Sequence, residues 1–307
     1  MKDSETISRR AVLGSGLGVA ALAAAGLGHS GALSAAETPA GRLDLEDPAL
    51  RAKVRAKTLG SIEEELVYTF YRLHLYGYLH DGNLVPFFTM NNLNITRWKP
   101  LPNGNYLSVG AECGVYCKFD TDEVLDVWEN PVTGEKRKVW DFIGGPLKVE
   151  IGPDGVITGG VAELSPEVLR MEVMGDKLFV PTAAHMAMPN PFDPKEWPKS
   201  SSGTTRYWDS LLVAAAEVSD ILDPSLSMAP AFLQFQNLGS WHPWLGLGGH
   251  AGRTYGRAYG TKYRTLDDLP SGVLKGIEKR VPEIFDFESW KEPRLDVIDY
   301  KKARKPE

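Results

Sequence analysis

The sequence predicts a mainly β fold, an antiparallel, barrel-like (lipocalin-like) meander with short peripheral helices. Three observations predict it. Runs such as Glu65 to Leu79, Phe87 to Trp98 and Asn105 to Phe119 are dense in Val, Tyr, Phe and Thr, the residues that suit a pleated surface. Tight-turn strings punctuate the chain: Pro102-Asn103-Gly104-Asn105, Asp120-Thr121-Asp122, Pro131-Val132-Thr133-Gly134, Pro153-Asp154-Gly155 and Gly175-Asp176. A long meander must also hide its two edge strands, and curling toward a closed or nearly closed barrel does so.

In chain order, residues 1–36 read as a twin-arginine signal peptide. Ser8 precedes the pair Arg9-Arg10, an uncharged Ala/Gly/Leu/Val run extends to about Gly28, and Ser34-Ala35-Ala36 supplies a small-residue exit before Glu37. The expected address is periplasmic or secreted, and the expected partner for transit is the twin-arginine export machinery. Residues 37–60 are a linker and a short helix, with Pro48 at its first turn. Residues 61–300 form a single β-rich domain, and 301–307 a charged tail expected to fray. Within the domain, Pro181 to Pro198 holds five prolines and predicts a long loop or flap. Strands resume at Thr204 to Val218, near Ala231 to Gln236, and at Gly252 to Tyr263. Asp267, Asp268 and Pro270 mark a helix start within Leu266 to Arg280.

The formal net charge of -6 rises in magnitude by one unit once residues 1–36 are gone, because Lys2, Arg9 and Arg10 there outnumber Asp3 and Glu5. Nothing in this balance favours nucleic acid. No second apolar run approaches the roughly 18 residues that span a bilayer, so no stable span is expected in the mature form. Cys113 and Cys117 are the two cysteines. On one strand they stand roughly 13 Å apart, against a bonding limit near 7 Å, which predicts free buried thiols.

Side-chain alternation suggests where a site lies. One face of Asn105 to Phe119 is core, with Leu107, Val109, Ala111, Cys113 and Val115; the other sets Glu112 among Tyr106, Gly110, Gly114 and Tyr116. In Leu66 to Tyr78, one face mixes Tyr68, Phe70, Arg72, His74, Tyr76 and Tyr78. Arg97 shares parity with Leu93 and Ile95, and Asp141 with Val139 and Ile143, so both place a charge on an apolar face, where it must be paired. His74, Arg97, Glu112 and Asp141 are therefore the expected catalytic cluster in an aromatic-lined pocket. The expected substrate-binding set is Tyr76, Asn94, Tyr116, Trp208, Trp241, His242, Trp244 and Arg253. For any one of these residues a structural role stands beside the functional one: Arg97 can pin the barrel through a carboxylate, and Trp241-His242-Pro243-Trp244 can plug one end.

Three strings, in order, carry a family resemblance: Asn94-Ile95-Thr96-Arg97; Trp128-Glu129-Asn130-Pro131-Val132-Thr133-Gly134-Glu135; and Trp241-His242-Pro243-Trp244-Leu245-Gly246-Leu247-Gly248 followed by Gly252-Arg253. The chain resembles the domain of unknown function 1838 family over roughly Glu64 to Trp290. The resemblance implies a fold unit and no established chemistry. The family pattern often has a histidine where this chain has Asp141, and an Asp where it has Gly249-His250.

Several motifs carry no chemistry. Gly246-Leu247-Gly248-Gly249-His250-Ala251-Gly252 lacks both the spacing and the strand-to-helix setting of a dinucleotide loop. No G-x-S-x-G elbow appears. His74, His80 and Asp81 do not have metal-ligand spacing, and no metal or cofactor is expected. The expected function is cofactor-independent acid–base chemistry, a lyase or isomerase acting on a small aromatic or apolar molecule. Glu112 or Asp141 would be the base, His74 or His242 the acid, and Arg97 the stabiliser of developing charge. The alternatives are a non-catalytic carrier of a hydrophobic ligand, and a metal-dependent hydrolase using His74, His185 or His242.

Overall fold

Helix α1 (Pro48–Leu59) begins where Pro48 fixes the first turn and the Asp47 carboxylate accepts a hydrogen bond from the Ala49 N–H at 3.0 Å. It stops at Gly60, where the indole of Trp98 leaves no room for a Cβ. The computed structural model describes residues 43–159, 165–167 and 169–307. The signal reading over residues 1–36, and the start of the segment that follows it, lie outside the described residues.

The strands are β1 (Glu65–Leu79), β2 (Leu84–Pro100), β3 (Tyr106–Cys117), β4 (Val127–Glu129), β5 (Lys136–Lys138), β6 (Phe142–Gly152), β7 (Gly155–Gly159), β8 (Ser165–Glu167), β9 (Glu172–Met174), β10 (Lys177–Pro189), β11 (Thr205–Glu217), β12 (Phe232–Gly239) and β13 (Gly252–Tyr263). All but β4 and β5 join one antiparallel sheet in the order β7-β6-β3-β2-β1-β13-β12-β11-β10-β8, with β9 also on β10. The fold is mainly β, and the sheet curls into a half-barrel with a few short helices. It is two meanders joined by the long β1–β13 pair, from Tyr68↔Tyr263 to Leu79↔Gly252. Its two ends, β7 and β8, are not paired with each other among the described residues, so the curl stops short of the nearly closed barrel.

The expected Pro181 to Pro198 loop is a strand in its first half. Pro181 and Pro189 sit within β10, which pairs with β11 over its whole length, from Lys177↔Glu217 to Pro189↔Thr205. On its other side β10 meets only the short β8 and β9, a position in which a missing N–H is tolerated. Nor is the C-terminal tail frayed. Its last residue folds back, with the Glu307 N–H donating to Glu196 O at 3.0 Å and its carboxylate accepting from the Ser200 hydroxyl at 2.7 Å. Cys113 and Cys117 are buried free thiols.

Each sheet face has its own cover. On the convex side, Leu93, Ile95, Ala111, Cys113 and Val115 pack beneath α2 (Ser271–Arg280) and the 3-10 segment Pro282–Ser289, through Val273, Ile277, Ile284 and Phe287. On the concave side, α1 occupies one end against Val67, Trp98 and Tyr106. The other end is closed by the Trp241–Leu247 loop, where Trp241, Trp244, Leu245 and Leu247 pack with Phe87, Phe88, Tyr116 and Trp128. A cavity remains between these two plugs.

Candidate functional site

The cavity measures about 240 Å³, somewhat below the ~300–1,000 Å³ of drug-sized sites and suited to a molecule of about one ring. Tyr71, Leu73, Leu75, Met90, Phe142, Trp208, Leu212 and Phe235 form its apolar wall, and Asn92, Asn94, Glu112, Asn237 and His242 its polar groups. Strand pleating explains the set. Tyr71, Leu73 and Leu75 alternate on β1; Met90, Asn92 and Asn94 do so on β2. The β2–β3 register puts Asn94 opposite Glu112.

Burial raises the Glu112 carboxyl to about pH 7, with a hydrogen bond from the Asn92 side chain pulling the other way. Burial, aided by the positive charge of Arg206, lowers His242 to about 4, so its imidazole is neutral at pH 7. Asn94 Nδ2 donates to Asn92 Oδ1 at 2.8 Å, tying two of the amides together. Asn237 is buried, and its Oδ1 accepts no hydrogen bond among the described residues. The site thus holds one carboxyl poised near neutrality, one neutral imidazole and three amides in an apolar enclosure.

Of the twelve residues expected from sequence, Asn94, Glu112, Trp208 and His242 line this cavity. The expected four-residue polar cluster does not assemble. His74 lies on the convex face of β1, with Nε2 3.0 Å from Asp120 Oδ1 and its ring against Phe119. Arg97 is bound by Glu288 through Nε and Nη2, at 2.5 and 2.9 Å, at a partly exposed site. Asp141 accepts from Arg280 Nε at 2.6 Å and from the Tyr116 N–H at 3.3 Å, and serves as the buried partner of α2. Tyr76 lies under the Arg257 guanidinium, and Arg253 covers the Tyr207 ring, both on the convex face. Tyr116, Trp241 and Trp244 are buried in the plug itself. Parity misled on β1 because the face rich in aromatics, with Arg72 and His74, is the outer one, while the inner face carries a single aromatic, Tyr71, among aliphatic residues. The histidines proposed as metal ligands do not converge either: His74 is convex, His185 pairs with Asp209 at the surface, and only His242 faces the cavity.

A family model described as Protein of unknown function (DUF1838) matches residues 64–300, which take in the described sheet and the Trp241–Leu247 plug but not α1. The chain belongs to the DUF1838 family. Among curated proteins no relative matches it. The strings that carried the resemblance fall at structurally demanding places in this DUF1838 protein. Asn130 Oδ1 accepts from the Val132 N–H at 2.8 Å to form the turn, while its Nδ2 donates to Leu245 O at 3.1 Å. One of these strings therefore holds another, the Trp241–Gly248 plug, in place. Asn92 and Asn237 were missed. Counting pairs outward from the three-residue loop Pro102-Asn103-Gly104, with Leu101 opposite Asn105, sets Asn94 opposite Glu112 and puts Asn92 on the same face.

Proposed function

We propose that this DUF1838 protein is a cofactor-independent acid–base enzyme, a lyase or isomerase acting on a small aromatic or apolar molecule. The observation that carries this is Glu112, a carboxyl raised to about pH 7 inside an apolar cavity that also holds a neutral histidine and three amides. Ionised Glu112 removes a proton from a substrate carbon next to an electron-withdrawing oxygen. The N–H of neutral His242 and the Asn92, Asn94 and Asn237 amides are the donors available to the oxygen that gains the electron pair. Returning the proton to another carbon completes an isomerisation; expelling a leaving group completes an elimination. His242 is thus a hydrogen-bond donor rather than the acid expected from sequence, and the roles expected of Arg97 and Asp141 are not carried forward because each is engaged by another side chain, Glu288 and Arg280 respectively, outside the cavity lining.

Eight of the thirteen lining residues are apolar, which also suits a carrier. The test is Glu112→Gln, with substrate screening by product detection. An enzyme keeps its ligand and loses turnover by 100-fold or more, whereas a carrier that shows no turnover keeps its affinity. Retention of full turnover by the folded variant refutes the role of Glu112.

We also propose export by the twin-arginine route to a periplasmic or secreted location, on the strength of Arg9-Arg10 and the small-residue exit at Ala36. Replacing both arginines with lysine is expected to leave precursor inside the cell. Normal export of that double variant, seen by fractionation, would refute the assignment.

A further inference from the structure

Arg206 stands beside the cavity rather than in its lining, and it is a cation with no salt-bridge partner among the described residues. It lies on β11 with the parity of Trp208 and Leu212, both cavity-lining, and therefore on the concave side. Among the described residues its side chain makes one hydrogen bond, from Nη1 to Trp241 O at 3.4 Å, beside the cavity-lining His242. No salt bridge engages it there, whereas Arg72, Arg280 and Arg294 each hold a carboxylate. The Nε atoms of Arg51, Arg55 and Arg137 are sealed without a partner, but no nitrogen of Arg206 is. Its Nε and Nη2 carry no hydrogen bond among the described residues and are not sealed, and its guanidinium acts on the cavity-lining His242.

A half-buried guanidinium without a carboxylate partner is suited to an anion, and two parallel N–H groups on one edge match the two oxygens of a carboxylate. Within the protein, Asp296 is the carboxylate that acts on Arg206, from beyond salt-bridge range, and it is committed elsewhere: it accepts from Trp140 Nε1 at 2.9 Å and from the Ile143 backbone. Glu112 on β3 and Arg206 on β11 are separated by β2, β1, β13 and β12, so the curl of the sheet sets them at opposite sides of the concave space. The cavity region is polarised, acidic on one side and cationic on the other.

We propose that the ligand of this cavity is a small aromatic or apolar carboxylic acid, held by its carboxylate on the Nε–Nη2 edge of Arg206 with its apolar body against Trp208 and Phe235. This rests on the acid–base reading only for where the reacting carbon goes: anchoring the anion at Arg206 turns the far end of the molecule toward Glu112. A free carboxylate close to Glu112 is disfavoured by repulsion, which fixes the direction of binding.

The experiment is calorimetric titration of the mature protein with phenylacetate and with phenylacetamide, repeated on Arg206→Gln and Arg206→Lys, with Tm recorded for each. The expected result is that the wild type binds the acid at least 10-fold tighter than the amide. Arg206→Gln is expected to abolish that preference while still binding the amide, and Arg206→Lys to keep part of it. If Arg206→Gln does not fold, a reduced acid-to-amide ratio in Arg206→Lys is the deciding measurement. Equal affinities in the wild type, or an acid preference unchanged in the folded variants, overturn the proposal; a lowered Tm with an unchanged ratio makes Arg206 a tether for the Trp241 loop only. Failure of both ligands and of neutral 2-naphthol to bind refutes the cavity as a ligand site, and this inference with it. An Arg206-dependent acid preference without turnover upholds the carboxylate site and counts against the enzyme.

Discussion

At the scale of single residues, Glu112 joins the site to stability. Its folded-state value is about 7 against an ordinary 4.5, so between those pH values the folded protein keeps a proton that the unfolded chain has released. The stability this confers is present below about pH 4.5 and is lost as pH rises through 7. Glu112→Gln removes the cost of a buried charge. Its folded state should therefore be more stable than wild type at pH 8, by up to about 3 kcal/mol, with little difference at pH 4. Urea unfolding at the two pH values measures this, and equal stabilities at pH 8 would place the carboxyl in contact with bulk water. If Glu112 is the base, turnover rises through about pH 7, and His242, already neutral, adds no second inflection in that range. Glu112 was legible because it stood alone among small and aromatic residues on an otherwise uncharged face. Arg206 was not, because its significance lies in the carboxylate it lacks, and only three-dimensional neighbours reveal an absence of that kind.

At the scale of elements, the plug is held by a turn more than a hundred residues away. The Asn130 side chain is fully buried, and it bonds both its own turn and Leu245 O. Asn130→Ala leaves the Leu245 carbonyl and the Val132 N–H without partners, a loss of about 2–4 kcal/mol. The prediction has a second part: because Leu245 lies in the loop that carries His242, ligand affinity should fall by more than the loss of stability alone requires. Denaturant titration and ligand titration on the same sample test the two parts. A variant that loses stability with unchanged affinity would show that the loop is held by its tryptophans. Strand boundaries were readable at this scale. β1 and β13 begin and end where their Val, Tyr, Thr and Gly patterns do, and the β2–β3 hairpin forms at Asn103-Gly104, where Gly104 takes a φ of 84°. β10 was not readable, since prolines tolerated at a lightly paired position look like a loop in one dimension. The convex face of β1 was misassigned because tyrosines that support a guanidinium from β13 on the outer surface look, in sequence, like the lining of a pocket.

For the whole molecule, everything turns on the β1–β13 seam, the only place among the described residues where the two meanders pair. At Gly260 the backbone of β13 lies so close to Phe70 O on β1 that a Cβ would overlap it. Gly260→Val should destabilise by about 3 kcal/mol or more, through a clash that backbone cannot relieve without parting the strands. Near wild-type unfolding of that variant would show that the seam can shift. The sheet itself was foreseeable from strand density and turn spacing, but its order was not, because a sequence of hairpins does not say that the first strand will meet the last. That same seam sets a schedule for biosynthesis. As the chain is made, β1 finds β2 within moments, yet its other edge stays bare until β13 has been translated, and bare edges recruit strangers. Tyr68 waits for Tyr263. If the protein leaves the cell through a pore that takes folded cargo, its late-closing sheet makes departure conditional on the final strand, and a truncated chain would be stranded on the side where it was made.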